Sequence, residues 1–77
     1  MTVQVYAVLK DHFDAAFEIN ESGFSVEELK QKLVAMRPAA EGILNACRFA
    51  VNDTFIHNDY KLSSHDRIAV LPPASGG

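Results

Sequence analysis

Arg67-Ile68-Ala69-Val70-Leu71-Pro72-Pro73-Ala74-Ser75-Gly76-Gly77 reads as two things in succession. Ile68 to Leu71 is a continuous apolar run, the pattern of a strand covered on one face and partly covered on the other. Ser63-Ser64-His65-Asp66 is a turn in front of it. Pro72-Pro73 behind it has no N–H to offer a ladder, so sheet pairing stops there. The strand is therefore expected over 67–71 in the middle of a sheet, with residues 72–77 leaving it as a tail. The matching stretch, Val3-Gln4-Val5-Tyr6-Ala7-Val8-Leu9, lies at the other end of the chain. These two most apolar segments are expected as central neighbours, running parallel.

The segments between them fill in the rest of the sheet and one helix. Lys10 to Asp14 is too short for a crossover helix, so Ala15 to Ile19 is expected to return as the second strand of an antiparallel hairpin. Asn20 to Gly23 is a turn. Ser25 followed by Glu28 is a capping box, and Val26, Leu29, Leu33 and Met36 recur at helical spacing. Pro38 ends that helix near Met36 or Arg37. Ala39 to Asn45 is ambiguous, with a short helical turn carrying Ile43 and Leu44 inward as one reading. Arg48 to Val51 and Thr54 to His57 read as strands around the Asn52-Asp53 turn. The sum is an α+β architecture, one main helix across a mixed sheet of about five strands. Residues 1–71 form the domain and residues 72–77 an extended C-terminal tail.

Composition narrows what such a chain does. With 77 residues it forms one domain with a small core, which favours a surface or terminus over a deep ligand pocket. Ten acidic and seven basic residues give a formal charge of −3 without a basic stripe, so no nucleic acid is expected as a partner. The acidic excess reads as ordinary solubility, with a basic docking partner as the alternative. Cys47 is the single cysteine and reads as a buried structural thiol rather than a nucleophile. No signal peptide and no membrane-spanning segment is legible, and a soluble cytoplasmic protein is expected. His12, His57 and His65 lack metal-ligand spacing, so no metal is expected. Asp11, Asp14 and Glu18 would need a cleft to act as paired carboxylates.

What remains is the tail and a face beside it. Two prolines favour an extended polyproline-like course, and six residues beyond Leu71 reach up to roughly 20 Å. Ala74, Ser75, Gly76 and Gly77 are all small, able to thread a narrow channel and bring the Gly77 carboxylate to buried chemistry; glycine leaves its carbonyl open to attack. If Val5 and Ala7 face the helix, Tyr6 and Val8 face away; if Ile68 and Val70 face in, Ala69 and Leu71 face out. With Phe55 these outward residues define a docking patch of Tyr6, Phe55, Ala69 and Leu71 beside the tail.

Val51-Asn52, Leu62, Asp66, Ile68 to Leu71 and above all Pro72-Pro73-Ala74-Ser75-Gly76-Gly77 resemble the small subunits of molybdopterin synthase, which are ubiquitin-like β-grasp sulfur carriers. The resemblance is most specific over Phe49 to Gly77 and covers the whole chain as a domain. It implies that an ATP-dependent adenylyltransferase of the ubiquitin-activating kind adenylates Gly77, and that a sulfur donor converts it to a thiocarboxylate, with no bound cofactor. It implies docking on the large synthase subunit in a heterotetramer, with Tyr6, Phe55 and Leu71 as the apolar contacts. Pro72, Pro73, Ala74, Ser75 and Gly76 would line the inserted tail, which delivers sulfur to a pterin precursor of the molybdenum cofactor. A sulfur carrier for thiamine thiazole synthesis and a ubiquitin-like protein modifier are the alternatives; the first typically lacks the double proline. This chain has His65-Asp66 where the family usually has Gly-Asp, which would cost about 1–2 kcal/mol if the turn needs a positive φ.

Overall fold

In the computed structural model, which describes residues 1–73, the two apolar ends of the chain meet at the centre of one sheet. β1 (Thr2–Val5) and β5 (Arg67–Leu71) pair in parallel, with Val3 opposite Ile68 and Val5 opposite Val70. β2 (Ala16–Glu18) flanks β1, while β3 (Arg48–Val51) and β4 (Thr54–Ile56) extend the sheet beyond β5. The order is β2-β1-β5-β3-β4, with only the β1–β5 pair parallel. α1 (Val26–Met36) and α2 (Glu41–Ala46) cover one face. Val3, Val5, Ile68 and Val70 from the central strands and Val26, Leu29, Leu33 and Leu44 from the helices are each at most 1% exposed. This is the expected α+β arrangement, a mixed five-stranded sheet gripped by one main helix.

α1 begins where its capping box places it, and all of its first-turn donors are satisfied. Ser25 Oγ accepts from the Glu28 N–H at 3.2 Å and Glu28 Oε1 from the Ser25 N–H at 2.9 Å. The Val26 and Glu27 N–H groups donate to the Tyr60 and Asn58 carbonyls, each at 3.0 Å, so the loop after β4 closes the helix end. The Ser25 N–H and hydroxyl hold the Glu28 carboxyl below its usual range. A lowered folded pKa stabilises the fold above the ordinary value near 4.5, and that contribution is lost as pH falls through the lower folded value.

The β3–β4 hairpin turns on Asn52 and Asp53, with φ of +50° and +71°. Two positive φ values match the right-handed twist of paired strands in a two-residue turn. Asn52 also clamps the start of β5: its N–H donates to the Arg67 carbonyl at 3.0 Å and its Oδ1 accepts from the Arg67 N–H at 3.2 Å. Asn52→Ala forces alanine into the left-handed region and removes one hydrogen bond, so it is expected to lower stability by about 1–2 kcal/mol. Asp53→Gly is expected to shift the urea midpoint the opposite way. Two midpoints moving together in either direction would contradict this account of the turn.

Five expectations need correction, the first in the second strand, which spans Ala16–Glu18 rather than Ala15 to Ile19. β1 stops at Val5 rather than Leu9, because Ala7 turns to φ +54° and opens a 3₁₀ segment, Ala7–Asp11, that swings Leu9 fully into the core. Ala7 therefore does not face the helix; it is exposed. Met36 is 44% exposed, while Ala40 and Leu44 of the following segment are fully buried in the core. His57 lies outside β4. The ambiguous stretch 39–45 resolves into a 3₁₀ turn, Pro38–Ala40, leading into α2. His65 does not have a positive φ, so replacing the family's glycine there carries no left-handed strain. Asp66, 6% exposed, fixes that turn by accepting the Ser63 N–H on Oδ2 at 2.8 Å.

Candidate functional site

Directly opposed residues of neighbouring strands share a face. Registers therefore lay out the sheet surface away from the helices: Ala16, Gln4, Ala69, Ala50 and Phe55 form one row across all five strands. The next position towards the tail sets Leu71 opposite Arg48. Tyr6, extended at φ −132°, joins this face by donating its O–H to Gln4 Oε1 at 3.3 Å. The predicted patch residues Tyr6, Phe55, Ala69 and Leu71 are thus brought together on one side. Val8 is not among them; it sits on the 3₁₀ turn, exposed.

The surface is apolar and unevenly open. Phe55 is 54% and Tyr6 39% exposed, whereas Ala69, Leu71 and Pro72 are half-buried and Ala50 is 6% exposed. Small residues, Ala69 and Ala50, lie at the centre of this face, with the Tyr6 and Phe55 rings more exposed to either side. Pro72 and Pro73 follow Leu71 without strand pairing. Ala74, Ser75, Gly76 and Gly77 lie outside the described residues.

Sequence reasoning missed Arg48. Its guanidinium lies over the Phe55 ring, 3.9 Å from the centroid, a cation–π contact that favours this arrangement of both side chains. The alternation Arg48-Phe49-Ala50-Val51, with Phe49 and Val51 buried, is the signal that would have put Arg48 and Ala50 on the outer face. Arg48 and Phe55 also wall an open groove of about 720 Å³ at the β3–β4 side, continued by Ile56 and His57.

The described residues offer little catalytic chemistry. Cys47, at the end of that groove, donates its thiol to the Ile43 carbonyl at 3.1 Å, and burial pushes its pKa up to about 11. It is a neutral thiol at physiological pH and a poor nucleophile. Glu18 accepts a hydrogen bond from Thr2 Oγ1. No group of three metal-ligating side chains occurs among the described residues, and no helix there is long and apolar enough to cross a membrane. The arrangement is suited to binding a protein surface.

The ThiS family matches residues 3–77. The molybdopterin synthase sulfur carrier subunit of Chlamydomonas reinhardtii is 32% identical over 66 residues, spanning 83% of this chain and 78% of that protein. A chain in the complex of subunits 1 and 2 of the molybdopterin-converting factor from Helicobacter pylori 26695 superposes with a TM-score of 0.70 at 26% identity, covering 99% of this chain and 96% of that one. The crystal structure of SAMP1 from Haloferax volcanii superposes with a TM-score of 0.75 at 18% identity, over 99% and 97% of the two chains, a likeness of fold.

Proposed function

The chain belongs to the ThiS family of ubiquitin-like β-grasp domains, and on that premise we propose that it is a sulfur carrier of the molybdopterin synthase small-subunit type. The observation that carries this reading is the agreement with the sulfur carrier subunit over most of both chains. It is supported by a family match that runs through Pro72-Pro73-Ala74-Ser75-Gly76-Gly77. It is supported further by an exposed apolar face on the strand that leads into those residues.

The chemistry takes place on Gly77. A partner adenylyltransferase joins its carboxylate to the AMP moiety of ATP with loss of pyrophosphate, which turns an inert carboxylate into an acyl electrophile. A sulfur donor displaces AMP and leaves a thiocarboxylate. The outer face, Tyr6, Phe55, Ala69 and Leu71, then docks on the large synthase subunit in a heterotetramer. Pro72 to Gly76 run into that subunit's active site, where the thiocarboxylate gives up its sulfur to the pterin precursor. This chain is not catalytic alone; it carries the reacting group, and the domain of residues 1–71 is the handle by which two partners hold it in turn.

Intact-mass analysis tests this directly. Incubation with a cognate activating enzyme, ATP and a sulfur donor is expected to exchange one oxygen for sulfur at Gly77. An unchanged mass, under conditions where a known carrier is converted, would sink the reading. Lysine conjugates in a cell extract would favour a protein modifier instead.

A further inference from the structure

The chain is acidic overall, ten acidic against seven basic residues, yet arginine outnumbers glutamate two to one at the outward strand positions of its sheet. By register, the charged residues at the outward strand positions are Arg48, Arg67 and Glu18. Glu18 is on the far edge strand and already bonded to Thr2. Arg67 is at the opposite end of β5 from the tail, about 13 Å along the strand from Leu71. Arg48 is directly across from Leu71, the last strand residue before Pro72. It is exposed, and no carboxylate among the described residues comes within ion-pair distance of it.

Resting on the function proposed above, we infer that Arg48 reads the charge of the docking partner, which presents a carboxylate opposite it at the mouth of the channel that takes the tail. Three features lead there. The guanidinium lies over the Phe55 ring, 3.9 Å from its centroid, a contact that biases Arg48 towards this position before any partner arrives and so lowers the side-chain freedom lost on binding. Its neighbours on the face, Phe55 and Leu71, are apolar; a partner that covers them strips water from the cation too. A covered cation without a counter-charge is strongly unfavourable, and a planar fork of N–H donors is best met by a carboxylate in bidentate geometry. Partners without that carboxylate are rejected, so one residue adds specificity to an otherwise non-directional apolar contact.

The test is calorimetric binding of the full chain to the purified large subunit of molybdopterin synthase at low and high salt. Wild type, Arg48→Lys, Arg48→Met and Arg48→Glu are compared, each checked by thermal unfolding. Arg48→Met is expected to weaken binding about tenfold and flatten its salt dependence, and Arg48→Glu about a hundredfold or more, by like-charge repulsion. Arg48→Lys, keeping the charge without the planar fork, falls between wild type and Arg48→Met. If Lys, Met and Glu lose equally with an unchanged salt slope, Arg48 is only packing on Phe55 and the inference is overturned. Variants that all match a tightly binding wild type overturn it as well, while the function proposed above stands. A wild type that does not bind at all overturns both.

Discussion

A chain lacking Gly77 is expected to fold like the full chain and to lose sulfur transfer entirely. The two halves of that result come from separate parts of the molecule. Among the described residues every buried core residue lies between Met1 and Val70, and glycine has no side chain to bury, so the deletion is expected to change stability by no more than about 0.5 kcal/mol. The acyl group, in contrast, would now be that of Gly76, withdrawn by one residue or about 3.5 Å. A misplacement of about 1 Å already costs on the order of a hundredfold. If the tail is read by its length from a docked domain, as the proposed function requires, a retreat of this size leaves the carbonyl out of reach of both the adenylating and the sulfur-accepting centres. The measurement is molybdopterin formation in a reconstituted system with activating enzyme, sulfur donor and large subunit. Gly76→Ala, which keeps the length but adds a Cβ, is expected to retain part of the activity. A truncated chain with more than about a tenth of wild-type turnover would mean that Gly77 is not the reacting residue.

Legibility in the sequence followed the range of the interaction that sets each feature. The start of α1 and the bounds of β3 and β5 are readable to the residue because local chemistry sets them: a capping box at Ser25 and Glu28, the Asn52-Asp53 turn, and Pro72. β1 was read too long because nothing in its apolar run announces that Ala7 turns to φ +54°. That turn is demanded by the distant need to bury Leu9. α2 has six residues and no side-chain cap, too little to form on propensity, and exists because Leu44 and the preceding Ala40 pack on the core. Met36 keeps the helical spacing of Leu29 and Leu33 but not their burial, since spacing does not say which later segment, here Ala40 and Leu44, fills the core. The outer face was half legible. Alternation in β5 gave Ala69 and Leu71, whereas the position of Arg48 across from Leu71 is a pairing register between distant segments.

Phe55→Ala is the second large effect expected, and it separates a docking surface from a merely apolar one. In the free chain the ring is 54% exposed, on the edge strand β4, facing away from the helices. Its contact with Arg48 is the principal thing lost on truncation, a cation–π pair worth about 0.5–1 kcal/mol at an exposed site. Stability should therefore fall by no more than about 1 kcal/mol. If the face is covered by a partner, the same ring is a desolvated aromatic anchor, and truncating such an anchor costs about 2–4 kcal/mol of binding, roughly 30- to 1000-fold. The contrast between the two numbers is the diagnostic. A core residue such as Leu33 would lose stability first and binding only as a consequence, whereas Phe55 should lose binding with the fold nearly intact. Ala50 beneath the same face, 6% exposed, gives the ring's neighbourhood little room to collapse, so the lost contact is not refilled from this side. Calorimetric binding to the large subunit, run beside urea denaturation of the free chain, measures both. Equal and small losses in the two experiments would move the docking surface off this face of the sheet.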